Sequence, residues 1–336
     1  MKIAMLAPIA WRTPPRHYGP WELVTHLLTE ALVARGIDVT LFATLDSLTA
    51  GTLDGVVPAP YSEDPSIDAK VWEYRHLAHV FEQAGQFDLI HNQADFPAHA
   101  FARLVDTPLV TTIHGFSSDR ILPMYQPFQD RVHYVAISDA DRHPALRYAA
   151  TIHHGIPLDD FAFDPQGSDD LLFFGRIHPD KGAEEAIAAA RASARRLHLY
   201  GIVQDQGYYE RAVAPALGGG AGVTWHGAVG GAERVAALGR ARALLHLINF
   251  DEPFGLSVVE AMACGTPVIA NRRGAMPELI EHGVTGFLVE NVDQAVEAIE
   301  RVDDLDRAAC RRQVEERFSV ERMADEYAAL YRRIIG

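Results

Sequence analysis

Short apolar runs alternate with longer amphipathic stretches from one end of the chain to the other. In the first half KIAMLAP, DVTLFAT, FDLIHN, PLVTTIHG and VHYVAIS read as strands. Between the first two, Trp21 to Gly36 carries apolar positions at helical spacing, and Gly36 supplies the stop. The second half repeats the rhythm with DLLFFGR, RLHLYG, GVTWHG, ALLHLIN and PVIAN. Nearly continuous apolar strands separated by helices predict parallel sheets covered on both faces, the α/β class. Two such sheets make two Rossmann-like doubly wound domains. The boundary is expected within His153 to Asp170, a stretch rich in Gly, Pro and Asp that precedes a new strand. The expected segments are therefore 1–154, 155–317 and a last helix in 318–336, which begins after Phe318 with Ser319 as its N-cap. GGGAG, Gly218 to Gly222, reads as a loop.

Composition narrows the function classes. At 336 residues the chain is long enough for two ordinary domains, and 48% hydrophobic with 22% charged residues is a globular profile. No run approaches the roughly 18 apolar residues that a membrane span needs. The N-terminus MKIAMLAPIAW reads as a first strand, not as a signal peptide. Only Cys264 and Cys310 are present, without metal spacing, which predicts no disulfide framework and a cytoplasmic location. A formal net charge of −15 argues against nucleic acid and anionic lipid as partners. The 16 histidines form no HExxH, and there is no GxSxG elbow, Walker loop or GxGxxG after the first strand.

The chemistry concentrates in Asp251 to Ile269, DEPFGLSVVEAMACGTPVI. Glu252 and Glu260 are separated by seven residues, PFGLSVV, in which Phe254 and Gly255 form a turn that opens a helix. Gly255, Leu256 and Ser257 would supply the first-turn amides, which have no intrahelical partners and attract phosphate and sugar oxygens. A carboxylate on each side can accept hydrogen bonds from vicinal hydroxyls. Upstream, GRIHPDKG places Arg176 and Lys181 at the C-terminal edge of a strand, where open α/β sheets bind ligands. A planar guanidinium and a point-charge ammonium suit a diphosphate. His114 ends PLVTTI by the same edge rule. Gly19 precedes the first helix, where a residue without a side chain lets a ligand approach the backbone.

These motifs resemble the retaining glycosyltransferases of family 4, which have the two-domain GT-B fold with the active site in a central cleft. The resemblance is specific over about forty residues, Glu252 through AMACGTPVIANRRGAMPELIEHGVTGFLV, and weaker over the rest. It implies that Glu252 contacts the transferred sugar and Glu260 the nucleotide ribose; both are expected near a surface cleft. It further implies that Arg176 and Lys181 neutralise the diphosphate, that His114 contacts the hexose, and that the final helix crosses back to the first domain. His226 to Val229 would lie against the nucleobase. The chain departs from the pattern in three places: Gly115 stands where the family has Asp, Pro20 where it has a second Gly, and Gly230 and Gly231 where it often has polar residues. Proline suits the first turn of a helix but removes one phosphate-binding N–H.

The expectation is a metal-independent, retaining hexosyltransferase with no cofactor. Its donor would be a nucleoside diphosphate sugar, with UDP favoured over GDP, and its acceptor a soluble or secondary-metabolite hydroxyl more readily than a lipid. The catalytic set would be His114, Glu252, Arg176 and Lys181. The donor would also meet Gly19, Val229, Phe254, Gly255, Leu256, Ser257 and Glu260. The alternatives are a sugar phosphorylase of the same fold, for which Lys181 is the only plausible pyridoxal-phosphate lysine, and a non-catalytic sugar-nucleotide-binding subunit.

Overall fold

The structure is a computed structural model and describes residues 1–17, 19–115, 117–218 and 222–336. Gly219 to Ala221, in the middle of the expected GGGAG loop, lie outside the described residues. The chain forms two compact units: Met1–Gly155 with Val320–Gly336, and Ile156–Ser319.

The first unit contains a 7-stranded sheet in the order β3-β2-β1-β4-β5-β6-β7. Its strands are β1 Lys2–Leu6, β2 Asp38–Thr44, β3 Thr52–Val57, β4 Leu89–Asn92, β5 Leu109–Ile113, β6 Val132–Ala136 and β7 Tyr148–Thr151, all paired in parallel. The five expected strands form, and their side chains are almost entirely buried. The two edge strands, β3 (TLDGVV) and β7 (YAAT), went unpredicted. Partly solvated and short of large apolar residues, they carry little of the buried-strand signal. The first helix runs Pro20–Ala34. Its first turn begins at Pro20, which needs no N–H there. Ser138, after β6, closes a turn by accepting the Asp141 N–H at 3.1 Å, and no helix follows it directly.

The last helix, Val320–Ile335, belongs to this unit and buries Met323, Tyr327, Leu330 and Tyr331. Tyr327 Oη lies 2.7 Å from Thr112 Oγ1, and Tyr331 Oη 2.5 Å from His91 Nδ1. The segment therefore completes the polar interior of a sheet built from residues more than two hundred positions earlier.

The second unit contains a 6-stranded parallel sheet in the order β10-β9-β8-β11-β12-β13. The strands are β8 Leu171–Phe174, β9 Leu197–Tyr200, β10 Val223–Trp225, β11 Ala243–His246, β12 Val268–Asn271 and β13 Gly286–Val289. Leu171, Phe173, Leu199, Leu245 and Phe287 pack on one face against the helices Ala183–Ala192 and Val292–Arg301. β13 is a four-residue run, too short to be separated from a buried loop by hydrophobicity alone. In both sheets the strand order reverses at the centre, between β1 and β4 and between β8 and β11. Ligands of open α/β sheets bind beyond the carboxyl ends of the strands at such a reversal.

Candidate active site

In the second unit the loops that leave β8 and β11 at this reversal bring together residues far apart in sequence. The loop after β8 ends in Lys181, and the one after β11 carries Glu252. Lys181 Nζ lies 2.5 Å from Glu252 Oε2, with both side chains mostly buried. The ammonium also sits 4.5 Å from the centre of the Phe250 ring, within cation–π range. What fixes the lysine loop is Gly182, at φ 74°: a Cβ there would fall 1.8 Å from the Leu247 carbonyl oxygen. No other residue lets the backbone press so closely on the chain leaving β11. Asn249 adds a backbone hydrogen bond to the Asp180 carbonyl at 2.8 Å and a side-chain bond to Pro179 at 3.1 Å. From the other side, the Ala275 N–H donates to the Glu252 carbonyl at 2.9 Å.

A residue absent from the sequence-based assignment completes this cluster. His246, the last residue of β11, is 5% exposed and places Nε2 3.7 Å from Glu252 Oε2. Burial, reinforced by the charge on Lys181, lowers its pKa to about 3, so the ring is neutral. Nε2 has no hydrogen-bond partner among the described residues. The signal was present in sequence, because ALLH ends at the same sheet edge as the assigned cations.

Arg176 follows β8 on the same edge and donates from Nη1 to Gln204 Oε1. Glu252 precedes the helix Leu256–Ala263, whose N-cap is Gly255 at φ 109°. That left-handed backbone favours glycine at the cap. Leu256 and Ser257 open the helix as expected, with Phe254 buried at 3% exposure just before it. Val229 lies in the loop after β10, partly buried.

Glu260 lies inside the helix Leu256–Ala263, as expected. It is only 2% exposed and bound through Oε2 to Arg234 Nη2. Burial raises its pKa, partly opposed by Arg234. Arg234, in the helix Gly231–Arg240, also stacks 5.4 Å over Phe174. Nothing along the chain marks this pairing, because 26 positions and a strand separate the two residues.

In the first unit His114 follows β5 and is 8% exposed. Its Nε2–H donates to Gln93 Oε1 at 2.6 Å, which leaves Nδ1 as the acceptor nitrogen, buried and without a partner among the described residues. Gln93 in turn lies 3.1 Å from His91 Nε2. Trp21 stacks on the His114 ring at 5.2 Å and 19°. Burial lowers the pKa of His114 to about 3, with a smaller contribution from His91. Gly19 caps the helix that carries Trp21 and Glu22.

Glu22 is the most perturbed carboxylate with a resolved value here. Burial raises its pKa from 4.5 to about 7, although the Glu22 and Trp11 amides pull the other way. A raised carboxyl pKa stabilises the fold fully below about pH 4.5, and that contribution is lost as pH rises through 7. The full difference corresponds to about 3 kcal/mol. Glu22→Gln keeps an acceptor for the Trp11 N–H but cannot ionise. Thermal melts from pH 4.5 to 8 should therefore show the variant gaining on the parent as pH rises, and parallel curves would refute this.

Comparison with known proteins then fixes the family. Residues 22–205 match the family model Glycosyltransferase Family 4, and residues 159–317 match Glycosyl transferases group 1. The chain belongs to glycosyltransferase family 4. A D-inositol 3-phosphate glycosyltransferase of Mycobacterium tuberculosis is 33% identical over 243 residues, 68% of this chain and 46% of that protein. The chain spans about half the length of the curated relatives it matches. Among solved structures, AviGT4, a glycosyltransferase involved in avilamycin A biosynthesis, is similar with a TM-score of 0.73 at 23% identity, covering 99% of this chain and 98% of that one. Anabaena Alr3699/HepE in complex with UDP and glucose is similar with a TM-score of 0.74 at 21% identity, covering 98% of both chains. The two parallel-sheet units and these neighbours make this family 4 chain a GT-B protein. Among the described residues no group of three or more His, Cys, Asp or Glu could hold a metal ion, and no helix is long and apolar enough to cross a membrane.

Proposed function

We propose that this chain transfers a hexosyl group from a nucleoside diphosphate sugar, UDP-linked in preference to GDP-linked, to an acceptor hydroxyl, with retention at the anomeric carbon and without a metal ion. The observation that carries the reading is the Lys181–Glu252 pair at the reversal of the second sheet, beside Arg176 and the amides opened by Gly255. Loss of the diphosphate is the difficult step. Fixed cations and helix N-terminal amides stabilise the charge that develops on it, because they are in place before the bond breaks. The bond from the anomeric carbon to the diphosphate oxygen breaks as the acceptor oxygen bonds to the same face. The acceptor proton passes to the departing diphosphate. Glu252 and Nδ1 of His114 are assigned to sugar hydroxyls, and Glu260 to the ribose once Arg234 yields it. UDP and glucose bound to a protein of this fold support the donor class. The inositol-phosphate activity of the relatives supports a soluble, hydroxyl-rich acceptor.

Incubation with UDP-, GDP- and ADP-hexoses and a panel of polyol and sugar acceptors in excess EDTA should release nucleoside diphosphate in step with glycoside. No release with any donor ends the reading. Activity lost to EDTA and restored by magnesium or manganese ends the metal-independent part of it.

A further inference from the structure

In this cluster the cation assigned to the diphosphate already has a partner. Lys181 Nζ lies 2.5 Å from Glu252 Oε2, so an incoming phosphate oxygen competes with a carboxylate for the same ammonium. Drawing Lys181 away would leave the largely buried Glu252 charge without its counter-ion, a heavily penalised state. The structure holds a substitute. His246 Nε2 lies 3.7 Å from the same Oε2, is buried, and is bonded to nothing else among the described residues. A movement of about 1 Å closes that gap to an ordinary N–H···O bond. Because the ring is neutral, it can donate to the carboxylate without repelling the ammonium beside it.

We propose that His246 is a positioning residue that takes Glu252 over from Lys181 when a diphosphate arrives, freeing the ammonium for the phosphate oxygens. The inference rests on the function proposed above. Phe250 keeps its face toward the ammonium with either partner, so the lysine exchanges an anion without leaving its place. Glu252, held through one oxygen by the imidazole, keeps the other for a sugar hydroxyl. Sequence comparison of the two glutamates alone cannot reveal this role, since it depends on a third residue in the strand before them.

The test is calorimetric. It uses the tightest-binding of UDP, GDP and ADP as probe, with the matching nucleoside as control. His246→Leu removes the donor while keeping much of the volume, and should weaken the nucleoside diphosphate about tenfold while the nucleoside binds within about twofold of the parent. His246→Gln offers a replacement N–H and should stay within about threefold of the parent. In the double variant His246→Leu/Glu252→Gln the neutral amide no longer holds the lysine, and diphosphate affinity should return to within about threefold. A His246→Leu variant that binds the diphosphate like the parent overturns the handover alone. So does one that loses nucleoside and diphosphate equally and is not rescued by Glu252→Gln, because that is the behaviour of a packing residue. Should His246→Leu not fold, Glu252→Gln alone decides: it should bind the diphosphate at least as tightly as the parent, and weaker binding overturns the proposal. A parent that binds none of the three probes overturns the donor reading and the handover together.

Discussion

Lys181→Ala lowers turnover by about 10²–10³-fold, the usual loss when one fixed charge-stabilising contact is removed from a transition state. On the proposed function, the charge that Lys181 opposes grows as the bond to the diphosphate breaks, so the interaction should be stronger in the transition state than with bound donor. Donor affinity falls as well, because the variant leaves the Glu252 carboxylate unopposed at the phosphate position. The rate should nonetheless fall much further than the affinity. Gly182 and the Asn249 hydrogen bonds hold the loop independently of the lysine side chain, so circular dichroism should match the parent. Steady-state kinetics on the best donor decide the matter: turnover within about threefold of the parent removes Lys181 from the mechanism.

The two glutamates fail in different ways. On the proposed assignment, Glu252→Ala removes a contact to the moving sugar and releases Lys181, so transfer should collapse while free nucleoside diphosphate binds at least as well as to the parent. Glu260→Ala has a second consequence that its burial dictates. Removing the carboxylate strands the Arg234 guanidinium, whose Nε is already buried without a partner among the described residues. Breaking a buried pair costs about 3–5 kcal/mol. Arg234 keeps 29% of its side chain in solvent, which brings the expectation down to about 2–3 kcal/mol, a fall in Tm of roughly 5–10 °C. Nucleoside diphosphate binding should weaken in the same variant. If Glu252→Ala weakens the free nucleotide as much as Glu260→Ala does, the assignment of sugar to one and ribose to the other is abandoned. If Glu260→Ala melts with the parent, the Arg234 pair carries no stability.

Most of the architecture was legible because buried parallel strands announce themselves. LVTTI and ALLH are apolar on both faces, and the strands stand at helix-length intervals. The edges were not, since TLDGVV and YAAT face water along part of their length. The site divides in the same way. Arg176, Lys181 and Glu252 follow strand ends and are marked by neighbouring glycines, which are local signals. The position of Glu260 in its helix is legible in the same way, but its burial is set by Arg234, on a different helix. His246 and Gln93 stand at or just past strand ends, which the sequence does mark, but their partners are not marked. Each acquires its meaning from a contact across the sheet edge, to Glu252 in one case and His114 in the other, and spacing along the chain carries no record of such contacts.

The division of the chain also sets an order of assembly. The second unit is one unbroken segment, Ile156–Ser319, whereas the first needs Val320–Gly336 to be complete. During synthesis the β1 to β7 sheet emerges first yet must wait for the final residues to cover His91 and Thr112 with Tyr331 and Tyr327. The earlier unit therefore reaches its finished interior only after the later one has been made. A ribosome-stalled chain ending at Ser319 would leave those buried polar groups open to water.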